Sequence, residues 1–425
     1  MTIRTTILDC GITVVSEAMP EVRSVTAGFW VGTGSRDEPA NLAGASHFLE
    51  HLLFKGTPSR SARSIAEAVD AVGGDMNAFT TKEYTSFYVR VLDEHMGLAF
   101  DILSDIFWDP AFRPNELDAE RRVILEEILM REDEPADLVH EVFAEAIFPG
   151  HPLGREVLGD KSTVSAIARD DIAGFFAEHY RPVNIVFAAA GRLEHAEVVD
   201  GVQARFAGPS GGRRPKRSAP DGAPVPVALH SRKTEQAHLV YGMMALDRHD
   251  EDRFALAVLN HILGGGLSSR LFQTIREERG LAYSVYSYRS SFDDTGSLSI
   301  YAGTTPARAE EVLGLICAEV EAVLEDGVSR RELEVAAGHL RGDLALSLED
   351  SAGRMSRIGR SQLVHGEVLS VDEVVARIEA VTVDDVAAVA KRVLGNPPVL
   401  AVVGPFDDTG RFEPFVASSA RSAGS

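Results

Sequence analysis

The chain repeats itself once, and the repeat constrains its fold more than any single motif does. Two apolar strand-like stretches, SVTAGFWVG and HLVYGMMAL, each lead into an apolar helix-forming segment, one containing EHLLFKGT and the other NHILGGGL. Farther on, FRPNELDAERRVILEE from Phe112 matches GVSRRELEVAAGHLRGD from Gly327, with Glu116-Leu117 falling on Glu332-Leu333. Near the end of each half, RDDIAGFFAEHYRPVNIVFAAAG matches TVDDVAAVAKRVLGNPPVLAVVG as a helix, a turn and a terminal strand. Matches in one order along both halves imply a duplication, and they let every polar motif be compared with its own copy. The basic stretch GGRRPKRSAPDGAP, from Gly211 to Pro224, is rich in Gly and Pro and lacks apolar periodicity, so it reads as a linker. The expected organisation is a first domain at 1–208, a linker at 209–226, a second domain at 227–416 and a small, polar, disordered tail at 417–425.

One copy carries chemistry that the other lacks. The segment His47-Phe48-Leu49-Glu50-His51 sits in a run whose apolar residues recur with helical spacing, and neither Pro nor Gly interrupts Ala45 to Lys55. Residues four apart leave a helix on one face, so His47 and His51 present two imidazoles in the spacing by which one helix offers two nitrogen ligands to zinc. Glu50 stands close enough to that face for its carboxylate to reach a water on the metal without binding the metal. In the second copy His47 becomes Ala257 and Glu50 becomes Asn260, while His51 is matched by His261. His261 is therefore expected to be a packed or water-bonded histidine rather than a ligand. A zinc that activates water needs a third protein ligand. The strongly helix-forming segment ELDAERRVILEEILMREDE is its source, with Glu120 and Glu127 sharing one face and Glu126 turned away from it. Glu120 and Glu127 fall on Ala336 and Asp343 in the second copy, whereas Glu116, Asp118, Glu132 and Asp133 read as a solvated acidic face. The residues by themselves do not decide whether Glu120, Glu126 or Glu127 is the ligand.

Composition removes several classes of function. A net charge of −22, from 42 basic and 64 acidic residues, argues against nucleic acid or an anionic membrane as partner. No apolar run approaches the roughly 18 residues needed to span a bilayer, and the start MTIRTTILDCGITVVSEA lacks a signal-peptide pattern, so a cytoplasmic protein is expected. Cys10 and Cys317 are too few for a disulfide framework and are expected to be reduced thiols.

HxxEH, followed 76 residues after its second histidine by a glutamate inside an ERxxILEE-like helix, resembles the inverted zinc-peptidase family of mitochondrial processing peptidase, insulin-degrading enzyme and pitrilysin. The resemblance runs through FLEHLLFKGT, GGDMNAFTTKEYTSFYV and RLFQTIREERGLAYSVYS, and in length the chain is similar to the short bacterial members. It implies an α+β fold of two homologous domains, each a mostly antiparallel sheet covered by helices, together forming half of the clamshell that larger relatives build from four. It implies that His47, His51 and Glu127 bind one zinc per chain, that Glu50 is the general base, and that Glu120 is a supporting carboxylate behind the ligands. It implies, further, that an edge strand carrying Asn77, Ala78 and Phe79 pairs with extended substrate. Arg276 and Tyr283 match the pair that reaches substrate from the metal-free domain, and a guanidinium and a phenol both donate to a peptide carbonyl and to the oxyanion it becomes. Apart from the resemblance, Asn77 to Phe79 fit an ordinary edge strand equally well, and Arg276 fits a helix-end cation better.

The expectation is thus a zinc metalloendopeptidase acting on peptides or unstructured protein segments. Some relatives divide HxxEH and the Arg and Tyr pair between different subunits. This chain holds both, so the expected assembly is a homodimer with the active site shared between copies. The competing expectation is a catalytically silent structural or assembly subunit with the same fold; a metal-dependent hydrolase for a non-peptide substrate is a third.

Overall fold

A computed structural model of the chain describes residues 3–417; the expected disordered tail at 417–425 lies, beyond Ala417, outside the described residues. Strands β1 (Ile3–Ile7), β2 (Thr13–Ala18), β3 (Ser24–Val31), β4 (Asp75–Thr80), β5 (Thr85–Leu92) and β6 (Ile185–Gly191) form one sheet in the order β1-β2-β6-β3-β5-β4. Strands β7 (Val227–Ser231), β8 (Ala237–Ala245), β9 (Ala282–Ser291), β10 (Gly296–Thr304) and β11 (Val399–Gly404) form a second, in the order β7-β11-β8-β10-β9. Neighbours are antiparallel except for one pair per sheet, β2 with β6 and β7 with β11. With β1 set aside the two orders coincide strand for strand, so the duplication is structural and the architecture is the expected pair of α+β domains.

The described chain divides into two compact units, one made of residues 3–128, 156–216 and 345–369, the other of 129–155, 217–344 and 370–417. Each unit includes one helix from the opposite half of the sequence. In the first unit β6 is an unbroken apolar run and β3 is apolar apart from Ser24 and Thr26, because both faces of the sheet are covered. On one face Phe29, Phe187 and Ala189 pack with Phe48, Leu49 and Leu52 of helix Ala45–Leu53 and with Phe107 of helix Met96–Trp108, whose ring stacks on Phe29 at 4.1 Å. On the other face Trp30, Val186 and Ala188 meet Met355, Ile358 and Leu363 of helix Ser351–His365. That helix is tied down by Ser351 Oγ, 2.8 Å from Thr26 Oγ1, and by Trp30 Nε1–H, which points to Met355 Sδ at 3.2 Å.

The second unit repeats the plan. One face of its sheet packs on helices Arg253–Gly264, Ala309–Asp326 and Val383–Leu394. On the other, Val240, Val399, Ala401 and Val403 are covered by Val139, Phe143 and Ala146 of helix Pro135–Ile147. The same helix carries His140, whose Nδ1 lies 2.6 Å from Tyr288 Oη and whose ring stacks on Tyr301. No helix or strand forms between Arg205 and Val227. Cys10 and Cys317 are free thiols. Among the described residues no helix is long and apolar enough to cross a membrane.

Candidate metal centre

Helix Ala45–Leu53 sinks Ala45, Phe48, Leu49, Leu52 and Leu53 into the core and leaves His47, Glu50 and His51 on its remaining face. It starts after Gly44, at φ +97°, where a Cβ would fall 2.6 Å from the Leu158 carbonyl oxygen. The Glu38 carboxylate accepts from the Gly44 and Ser46 N–H groups at 2.8 and 2.7 Å, satisfying otherwise orphaned donors and placing negative charge at the positive end of the helix. Helix Pro114–Glu132 is fixed against it by Arg121, whose guanidinium lies over the Phe48 ring and donates to the Val164 and Ile167 carbonyls. Neither Glu38 nor Arg121 was singled out from the sequence. Glu38 lies six residues before the N-cap Gly44, and Arg121 acts on carbonyls 43 and 46 residues away, so no local pattern reveals either.

The two helices bring ligand atoms of His47, His51 and Glu127 within 4.8 Å of one another, the one such group among the described residues. Glu127 Oε2 lies 3.7 Å from His47 Nε2 and 3.6 Å from His51 Nε2. These separations exceed the roughly 2.7–3.2 Å of hydrogen bonds and approach the edge, about 3.4 Å, of a tetrahedron with zinc–ligand bonds of about 2.0–2.1 Å. Two imidazole nitrogens and a carboxylate oxygen also suit zinc chemically, so these residues fit the ion. Of the three glutamates left open by the sequence, Glu127 converges with the histidines and Glu126 is exposed. Buried Glu120 faces His51 Nδ1 at 3.0 Å through one oxygen and Lys55 Nζ at 2.9 Å through the other. Glu50 accepts a 2.6 Å hydrogen bond from Thr80 Oγ1 on β4. Burial pushes its carboxyl above the usual carboxylate range, opposed by the Thr80 hydrogen bond and by His51 and reinforced by the charge of Glu127.

β4 is the edge of the first sheet, paired with β5 on one side. The Thr81 N–H donates to the Tyr84 carbonyl, so by alternation the backbone groups of Met76, Ala78 and Thr80 face away from β5. The Ala78 N–H donates to Asn77 Oδ1 at 2.8 Å. The side chains diverge: Ala78 joins the core beneath the motif helix, and Phe79 packs on Trp30 across the sheet. Of Asn77, Ala78 and Phe79, only Ala78 turns its backbone groups to the open edge; those of Asn77 and Phe79 face β5, and the three side chains form no single pocket. In the second unit Arg276 lies on a π-helical turn, Phe272–Glu277, of a kind often found at functional sites. Its guanidinium sits 5.0 Å over the ring of Tyr283, which is 81% exposed at the start of β9. His261, the counterpart of His51, is buried and stacks on His339 at 4.2 Å, and burial lowers its pKa.

A family profile described as Insulinase (Peptidase family M16) matches residues 13–161, and one described as Peptidase M16 inactive domain matches residues 166–338. A protein of Streptomyces coelicolor described as an uncharacterized zinc protease is 49% identical over 420 residues, covering 96% of this chain and 90% of its own length. The chain belongs to peptidase family M16. A zinc protease of Mycobacterium tuberculosis is 46% identical over 95% of this M16 chain and 93% of its own, and one of Bacillus subtilis is 40% identical over 93% and 96%. Among solved structures, a peptidase M16 inactive domain from Pseudomonas fluorescens superposes with a TM-score of 0.89 at 22% identity, covering 96% of this chain and 98% of that one. A protease from Helicobacter pylori gives 0.87 at 20%, covering 95% and 99%; at such identities the likeness is one of fold. The inactive-domain profile falls on the half in which Ala257 and Asn260 replace His47 and Glu50. At the level of the M16 family, then, the class is zinc metallopeptidase and the metal is zinc.

Proposed function

We propose that this M16 chain is a zinc-dependent endopeptidase that hydrolyses peptides or unstructured protein segments, with His47, His51 and Glu127 holding one zinc per chain. The observation that supports this reading is the convergence of those three donors beside a half-buried carboxylate, Glu50, that is tethered to an open strand edge. When bound there, zinc supplies electrophilic polarisation of the scissile carbonyl and acidification of water at neutral pH. Glu50 takes the proton from the attacking water and passes it to the leaving amine. The burial that raises its carboxyl brings the protonated form, which the second transfer requires, closer to neutral pH. Thr80 keeps Glu50 aligned with β4. An extended substrate adds along the open side of β4, exchanging main-chain hydrogen bonds with Met76 and Ala78. Arg276 and Tyr283 donate to substrate carbonyl oxygens. The proposed assembly is a two-fold homodimer in the cytoplasm, each active site completed by the other copy, as closed symmetry favours.

Metal analysis and cleavage of a fluorogenic peptide, with and without chelator, test the proposal. The expected result is about one zinc per chain, as one three-ligand site requires, and cleavage that chelator abolishes and added zinc restores. Protein that holds no zinc and cleaves nothing would support a silent structural or assembly subunit instead.

A further inference from the structure

We propose that Lys55 is a positioning residue of the zinc site, acting through Glu120 on His51. The inference rests on the zinc reading above. The three side chains form a chain of contacts: Lys55 Nζ lies 2.9 Å from Glu120 Oε1, Glu120 Oε2 lies 3.0 Å from His51 Nδ1, and His51 Nε2 faces Glu127 Oε2 at 3.6 Å. Only 8% of the Glu120 side chain is exposed, so its carboxylate, largely cut off from water, depends on the ammonium group for compensation. Paired with the Lys55 ammonium through one oxygen, Glu120 turns the other to the His51 Nδ1–H as a charge-assisted acceptor. That bond fixes the ring and its tautomer and makes Nε2 the better electron donor toward a metal. Lys55 is itself anchored, since its N–H donates to the Leu52 carbonyl and its own carbonyl accepts from Arg113.

The second copy supplies an internal comparison. In the register that places His51 on His261, Lys55 falls on Gly265, and Glu120 falls on Ala336 in the register of the later helix. Cation and carboxylate are thus both missing from the half without the ligand set, and the histidine left behind stacks on His339 instead.

The full-length protein tests this through its zinc dissociation constant, measured by competition with a chelating chromophore. Lys55→Met should weaken zinc binding about tenfold, within the range for loss of groups behind metal ligands, and Lys55→Arg should recover most of the loss. In a Glu120→Gln background Lys55→Met should have no further effect. Thermal unfolding of the zinc-free variants separates this role from a general contribution to stability, and Lys55→Gln carries the same comparison if Lys55→Met does not fold. Equal zinc affinity in wild type and Lys55→Met, or an equal loss with and without Glu120, would overturn the relay alone. Absence of zinc from the wild-type protein would overturn the zinc reading and the relay with it.

Discussion

Glu50 and Glu127 lie near the same two imidazoles, and their surroundings separate their tasks. Glu127 presents an oxygen to both Nε2 atoms, whereas Glu50 is turned to Thr80. Glu50→Gln keeps the shape and removes the proton acceptor. Zinc content should stay at the wild-type level while kcat/KM falls by about 10²–10⁴, the span typical for loss of a general base. Glu127→Gln should lose zinc first, and activity as a consequence. Metal content and cleavage rate measured on the same preparations check both, and the reverse pattern would exchange the two roles.

Helix Ser351–His365 approaches its sheet through a residue without a side chain. A Cβ on Gly359 would stand 2.4 Å from Nε1 of Trp30, an indole that is itself fully buried. Alanine at this position gains about 1 kcal/mol of helix propensity, but a rigid ring cannot yield, and overpacking a core costs about 1–3 kcal/mol. Gly359→Ala should therefore destabilise the protein by up to about 2 kcal/mol on balance, measurable as a lower urea midpoint at unchanged slope. Increased stability would show that the helix can move off the indole without loss. This crossing also marks a limit of sequence reading. The unbroken apolar run of β6 requires cover on both faces, but nothing in that run says that the second cover comes from residues 351–365, and Thr26 and Ser351 meet across 325 positions.

At the scale of the whole molecule, burial lowers the pKa of His140, His179, His195, His238 and His261. Below the ordinary histidine value of about 6.5 the unfolded chain binds protons that these folded sites refuse, so stability falls as pH drops through that value toward the depressed folded-state pKa values. Thermal unfolding of zinc-free protein should therefore show a lower midpoint at pH 5.5 than at pH 7.5, and an equal or higher midpoint would contradict the burial of these rings. The proposed dimer has its own test. Glu50→Gln chains mixed with Arg276→Ala/Tyr283→Phe chains form one intact site in each mixed dimer if sites are shared between copies. With free exchange, activity should recover to about a quarter of wild type under two-fold symmetry. Recovery no greater than the mean of the two parents, with exchange verified by tags, would show that sites are not shared.

What the sequence determined by itself is local or repeated. The spacing of His47 and His51 puts both rings on one helix face wherever that helix packs, because helical geometry fixes it. The order of matching segments in the two halves already implied a duplicated fold, since equal patterns bury equal faces. The tertiary structure decided which carboxylate joins the histidines. Glu120, Glu126 and Glu127 occupy one helix, and only its packing against helix Ala45–Leu53, pinned by Arg121, turns Glu127 to the Nε2 atoms and Glu120 to Nδ1. The Glu38 cap, the Lys55 to Glu120 pair and the exchanged helices were likewise settled by packing, because each joins residues whose meeting depends on where the intervening chain folds and not on any period within it.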